Sequence, residues 1–220
     1  MNTPMIRSEY TLGEEIAHAV SHGIGALLSI AGLVVMVVFA ALYGNAWHIV
    51  SCSIYGATLI LLYTASTLYH GITSPKVKRI LQRIDHAAIF LLIAGTYTPF
   101  TLVTLRGSWG WTLFGLVWGF AILGVVLETL VKKRIKWLSL TLYLGMGWLV
   151  LVAIGPMLDS VATGGLILLL AGGLCYSLGV IFYVWKRLAY HHAVWHLFVM
   201  AGSLLHFFSI FFYVLPPSVA

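Results

Sequence analysis

Seven stretches of this chain are long and apolar enough to cross a bilayer, and no other feature restricts its fold as much. A spanning helix needs about 20 largely apolar residues. The qualifying runs are 16–43, 46–70, 85–105, 109–131, 137–158, 161–185 and 191–215. Short polar or Gly-bearing stretches separate them: "YGNAW" (43–47), "GITSPKVKR" (71–79), "RGSWG" (106–110) and "ATGG" (162–165). Connections this short leave no room for a second domain. Residues 1–220 are therefore read as a single all-α domain, a polytopic bundle of seven transmembrane helices. Composition agrees, because only 8% of residues are charged and a soluble domain carries about 25%.

Lys and Arg set the orientation. With the N-terminus inside, eleven of the twelve basic residues fall on the cytosolic side: Arg7, Lys76, Lys78, Arg79, Arg83, Lys132, Lys133, Arg134, Lys136, Lys186 and Arg187. Arg106 alone faces out. The positive-inside rule then predicts a cytosolic N-terminus and an external C-terminus, as an odd number of spans requires. The same placement accounts for the net charge of +6 without a nucleic-acid partner, since the basic residues sit where topology signals sit.

Other features read as structural. Cys52 and Cys175 offer neither a disulfide framework nor a CxxC metal motif. The N-terminus lacks the form of a secretory signal, having Glu9, Glu14 and Glu15 before an apolar run too long for an h-region. The small residues of "YLGMGW" (143–148) and "GGLCYSLG" (172–179) are expected at close helix contacts. Trp109, Trp111, Trp137 and Trp185 lie near span ends, as interfacial anchors do.

The predicted topology gathers the polar residues into one layer. "STLYH" (66–70) ends the second span, Asp85 opens the third and "HHAVWH" (191–196) opens the seventh, all on the cytosolic side. His192 and His196 are i, i+4, and so are Ser66 and His70; each pair shares a helix face. Ionisable groups inside a membrane are costly and face the bundle interior. Three histidines are a common ligand set for catalytic zinc, with water in the fourth position. Zinc can lower the pKa of that water to about 7. Asp85 could then serve as general base and Ser66 as hydrogen-bond donor. The competing reading is a metal-free polar network that packs three helices together.

The remaining histidines are expected elsewhere. His18 and His22, i, i+4 on the first span, could line the same cavity in a supporting role. His191 is expected at the interface, His86 on another face and His48 on the outer side. His206, about 15 Å deeper than His196 on a helix, is expected to be a buried hydrogen-bonding residue. Glu128 is expected at the interface beside Lys132.

The segments "EEIAHAVSHGIG" (14–25), "ASTLYH" (65–70), "IDHAAIFLLIAGTYTPF" (84–100), "YSLGVIFY" (176–183) and "HAVWHLFVMAGSLLHFF" (192–208) carry a resemblance. The chain resembles the bacterial haemolysin III-like proteins, a branch of the progestin and adipoQ receptor family, which is related to alkaline ceramidases. The resemblance implies a seven-helix bundle with zinc held by His70, His192 and His196. It also implies that Asp85 contacts zinc-bound water and that Ser66 stands beside the site. No motif position is missing.

Two functions follow as expectations. The first is an inner-membrane zinc hydrolase acting on an amide or ester of a membrane lipid, in a family linked to haemolysis and membrane homeostasis. The second is a non-catalytic membrane-fluidity sensor or receptor-like regulator with structural zinc. Single cysteines at Ser74 and Ser108, in a background lacking Cys52 and Cys175, test the orientation. An impermeant thiol reagent applied outside intact cells should label position 108 and spare position 74.

Overall fold

The computed structural model describes residues 10–131 and 135–215. It contains eight α-helices that make seven spans. They are α1 (Leu12–Tyr43), α2 (Ala46–Gly71), α3 (Pro75–Pro99), α4 (Ser108–Leu130), α5 (Lys136–Gly147), α6 (Ile154–Ser160), α7 (Thr163–Val184) and α8 (His191–Tyr213). A π-helical turn, Phe100–Thr104, prolongs α3. A 3-10 segment, Leu149–Ala153, joins α5 to α6 within the fifth span. No strand occurs among the described residues.

Local chemistry sets the helix ends. The Thr11 hydroxyl accepts from the Glu14 backbone N–H at 3.3 Å, and the Glu14 carboxylate accepts from the Thr11 N–H at 2.9 Å. This capping box satisfies two of the donors that a helix start leaves open. It starts α1 four residues before the apolar run and carries Glu15 into the helix. Pro75 occupies the first turn of α3, where its missing N–H costs nothing. The third span therefore begins ten residues earlier than the expected boundary at 85. "KVKRILQR" is helix, and hydropathy alone could not show it. Gly107, at φ 140°, makes the turn into α4 in a conformation open to glycine.

Neighbours in sequence pack side by side: α1 on α2, α2 on α3, α3 on α4 and α7 on α8, with α8 closing back on α1. The bundle is apolar outside, and its buried polar residues sit among an apolar core. Leu27, Ile122 and Leu130 are 60–73% exposed, while His18, Ser51, Thr98 and Ser209 are fully buried. Buried hydroxyls bond to carbonyls, as when Ser29 donates to Gly25 O at 2.7 Å and Thr98 to Ala94 O at 2.8 Å. Trp109, Trp111, Trp137 and Trp185 are 47–71% exposed near the ends of their spans, where anchors are expected.

The fifth span differs from its expected form. "YLGMGW" does not mark a helix contact, for a side chain at Gly145 or Gly147 would meet nothing within 4 Å. The helix breaks there instead. The Tyr97 hydroxyl lies 2.9 Å from both the Met146 and Gly147 carbonyl oxygens and accepts from the Val150 N–H at 2.9 Å. Non-helical backbone at membrane depth persists where protein groups satisfy it or a cavity lies beside it. The glycines of "GGLCYSLG" behave as expected: a Cβ on Gly172 would meet His206, and one on Gly179 would meet Phe198 and Trp195, both on α8.

Gly95 shows how tightly α2 and α3 approach. A Cβ there would collide with the Thr58 hydroxyl oxygen. Gly95→Val is expected to destabilise the detergent-solubilised protein by about 1–3 kcal/mol through overpacking, lowering its thermal midpoint. Gly115→Ala meets nothing and should leave the midpoint unchanged or raise it.

Candidate metal centre

Helix geometry brings together the histidines that sequence spacing suggested. One ligand atom each from His70 at the end of α2 and His192 and His196 in the first turns of α8 lie within 4.8 Å of one another. All three residues are buried, at 3%, 7% and 1% exposure. Their ring centres are 4.6–5.3 Å apart. His192 and His196 share a face because they are one turn apart.

Neighbouring groups fix two of the imidazoles. The Glu15 carboxylate accepts from His70 Nδ1 at 2.7 Å. A carboxylate only accepts, so the proton resides on Nδ1 and the lone pair on Nε2. That Nε2 is buried with no partner in the protein. Ser21 Oγ donates to the His18 carbonyl at 2.9 Å and lies 3.1 Å from His196 Nδ1. Its single proton is committed to that carbonyl, so His196 Nδ1–H is the donor and Nε2 again keeps the lone pair. A ligating histidine is commonly oriented in this way, with its second nitrogen donating to a carboxylate or another oxygen. His192 Nδ1 is buried and unpartnered too. Imidazole nitrogens are ligands that suit a borderline-soft cation such as zinc.

Asp85 and Ser66 lie in the same layer, with Asp85 outside the 4.8 Å cluster. Both line a cavity of about 140 Å³ together with His192 and His196. Ser66 Oγ is buried and has no partner. The cavity continues between α3, α5, α7 and α8 along Leu92, Tyr143 and Tyr176 as far as His206.

Several side chains stand where the sequence did not put them. Glu15 was read only as part of a charged N-terminus, yet it holds His70 and also accepts from Lys78 at 2.9 Å. The available signal was its spacing to His18 and His22, which places all three on one face of α1. His191 is buried rather than interfacial, and its Nδ1 donates to Phe182 O at 3.0 Å. Glu128 is also buried and accepts from Ser139; Lys132, its expected neighbour, lies outside the described residues, as do Arg7, Lys133 and Arg134. His86 lines the cavity from α3. His48 bonds Asn45 at the start of α2. His206 is half-buried, and its Nε2 donates to Leu169 O at 3.1 Å, the hydrogen-bonding role expected of it. His22 stacks on His196 at 3.5 Å between ring centres.

The fold and site define a multi-pass membrane protein with a buried histidine and glutamate cluster able to hold a metal ion. A sequence profile described as "Haemolysin-III related" matches residues 10–207, and the chain belongs to that family. It is similar to "Hemolysin-3 homolog" of Bacillus subtilis (strain 168), 52% identical over 204 residues, covering 93% of this chain and 96% of the relative. "Hemolysin-3" of Bacillus cereus is 47% identical over 216 residues, 98% and 99% of the two chains. More distantly, "Monocyte to macrophage differentiation factor" of Homo sapiens is 28% identical over 214 residues, 94% and 87% of the two chains.

Loss of the carboxylate should be felt through His70. Glu15→Gln is expected to weaken zinc binding by about 10–100-fold, measured by competition with a chromophoric chelator. Stripping the ion should lower the thermal midpoint, because a ligand that binds only the folded state stabilises it.

Proposed function

We propose that the protein is an inner-membrane zinc hydrolase that cleaves an amide or ester bond in a membrane lipid. The observation that carries this reading is a three-histidine cluster, two of whose members, His192 and His196, line a largely apolar cavity that also presents Asp85 and Ser66. The basic residues support a cytosolic N-terminus, which sets the site at the inner leaflet.

His70, His192 and His196 would hold the ion. Zinc held there would supply Lewis acidity, able to polarise a carbonyl and to lower the pKa of water toward about 7. Asp85 receives the proton of the attacking water on a carboxylate oxygen and returns it to the leaving amine or alcohol. Ser66 Oγ, which has no partner, donates a hydrogen bond to a substrate oxygen. Glu15 keeps His70 in one tautomer. Leu62, Ile89, Leu92 and Val199 line the cavity and would seat part of an acyl chain while excluding water.

A non-catalytic membrane-fluidity sensor is the second reading. His18 favours it: its ring centre lies 4.6 Å from that of His70, 4.9 Å from that of His192 and 5.3 Å from that of His196. A fourth imidazole that near could close the shell, and structural zinc usually has four protein ligands.

Zinc-loaded protein in lipid nanodiscs, offered a panel of ceramides and glycerolipids, decides between them. The hydrolase reading expects fatty-acid release from at least one lipid. Asp85→Asn should keep one zinc per chain yet lose about 10²–10⁴-fold in kcat. Full turnover in Asp85→Asn would remove that residue from the chemistry. A zinc-loaded wild type inert toward every lipid would favour the sensor.

A further inference from the structure

The histidine layer separates two cavities. On one side is the cavity that His192 and His196 line, with Asp85 and Ser66. On the other is a vestibule of about 750 Å³ beside the connection between α2 and α3, lined by Tyr10, Glu15, His70, Lys78, Arg79 and Gln82. Glu15 and His70 face the vestibule, while His192 and His196 face the inner cavity. A cation entering through the vestibule would therefore meet Glu15 and His70 first.

His18 packs against all three of the other imidazoles, its ring centre 4.6 Å from that of His70, 4.9 Å from that of His192 and 5.3 Å from that of His196. It is fully buried, and neither ring nitrogen has a partner in the protein. Leaving a buried donor or acceptor unmet is costly, and a ring with both nitrogens unmet points to a ligand. One ligand atom each from Glu15, His18 and His70 lie within 4.8 Å of one another. Two imidazoles and a carboxylate make a donor set that suits zinc and its first-row neighbours.

We propose that Glu15, His18 and His70 form a second, outer metal position, which holds a divalent cation before it passes to the position shared by His70, His192 and His196. The inference rests on the metal-binding reading above and adds the route of loading. His70 belongs to both positions: the outer ion takes Nδ1, whose proton shifts to Nε2, and the tautomer reverts as the ion passes on to Nε2. His18, packed against His70, His192 and His196 alike, holds the ion during the transfer. Lys78 pairs with Glu15 at 2.9 Å and keeps the buried carboxylate neutralised when the outer position is empty; an arriving cation replaces its ammonium there.

Cobalt reports on both positions through its visible absorption. In the full-length His192→Ala/His196→Ala variant, one Co²⁺ should still bind, more weakly than in the wild type, and adding His18→Ala should abolish it. In otherwise native protein, His18→Ala should slow zinc loading by at least about tenfold, the scale on which supporting residues act at metal sites. Final occupancy there should stay at one ion per chain. The kinetic arm stands even where the double variant fails to fold. Loading at the wild-type rate in His18→Ala would overturn the outer position, and so would a folded double variant that binds no more cobalt than the triple. Wild-type protein that binds neither metal would defeat the metal-binding reading itself, which is a separate outcome.

Discussion

The rest of the structure depends on the desolvation of imidazole. His70 Nε2, His192 Nδ1 and both nitrogens of His18 have left water without gaining a protein partner. Each such group costs about 1–3 kcal/mol in a buried setting. A fold that brings several of them into one layer needs something to offset that cost, and a divalent ion is the natural candidate. The hydrogen bond from His70 to Glu15 makes the arrangement directional. It commits the proton to one side of the ring and presents the lone pair on the other.

From that constraint the helix order acquires a purpose. α1 supplies the orienting groups Glu15 and Ser21, α2 and α8 supply the imidazoles, and α3 supplies Asp85. The capping box at Thr11 holds the first turn of α1 in place, and Glu14 also accepts from the Tyr190 N–H at 3.1 Å. This contact ties the start of α8 to the start of α1. On the far side of the cavity, the break in the fifth span is bound to α3 by Tyr97. The Trp148 indole N–H, donating to Ser177 at 3.0 Å, binds it to α7. The cavity wall is thus backbone satisfied by side chains, with enough irregularity to leave space inside a packed bundle.

Much of this was legible in the sequence, because hydropathy and helical spacing are local signals. The seven spans and the shared layer of His70, His192 and His196 follow from run lengths and i, i+4 pairs. What was not legible depended on burial by distant segments. Glu15 looked like a solvated charge because the first apolar run begins after it; only packing against α2 shows its partner. The first turns of α3 were hidden because basic residues on an amphipathic helix lower hydropathy without ending the helix. Glu128 and His191 looked interfacial because of their positions near span ends, and tertiary contacts from Ser139 and Phe182 buried them. The break at Gly147 resembled a packing motif because small residues serve both purposes.

X-ray absorption at the zinc edge of purified, detergent-solubilised protein tests the central claim most directly. The account predicts one zinc per chain, with about three imidazole nitrogens at about 2.0–2.1 Å and one further light-atom ligand. When His192 and His196 are both replaced by alanine, the three-imidazole shell should be lost, leaving only a more weakly held ion on His18, His70 and Glu15. A folded, active wild-type protein without bound metal would contradict it, as would an imidazole-coordinated zinc unchanged by the loss of those two residues.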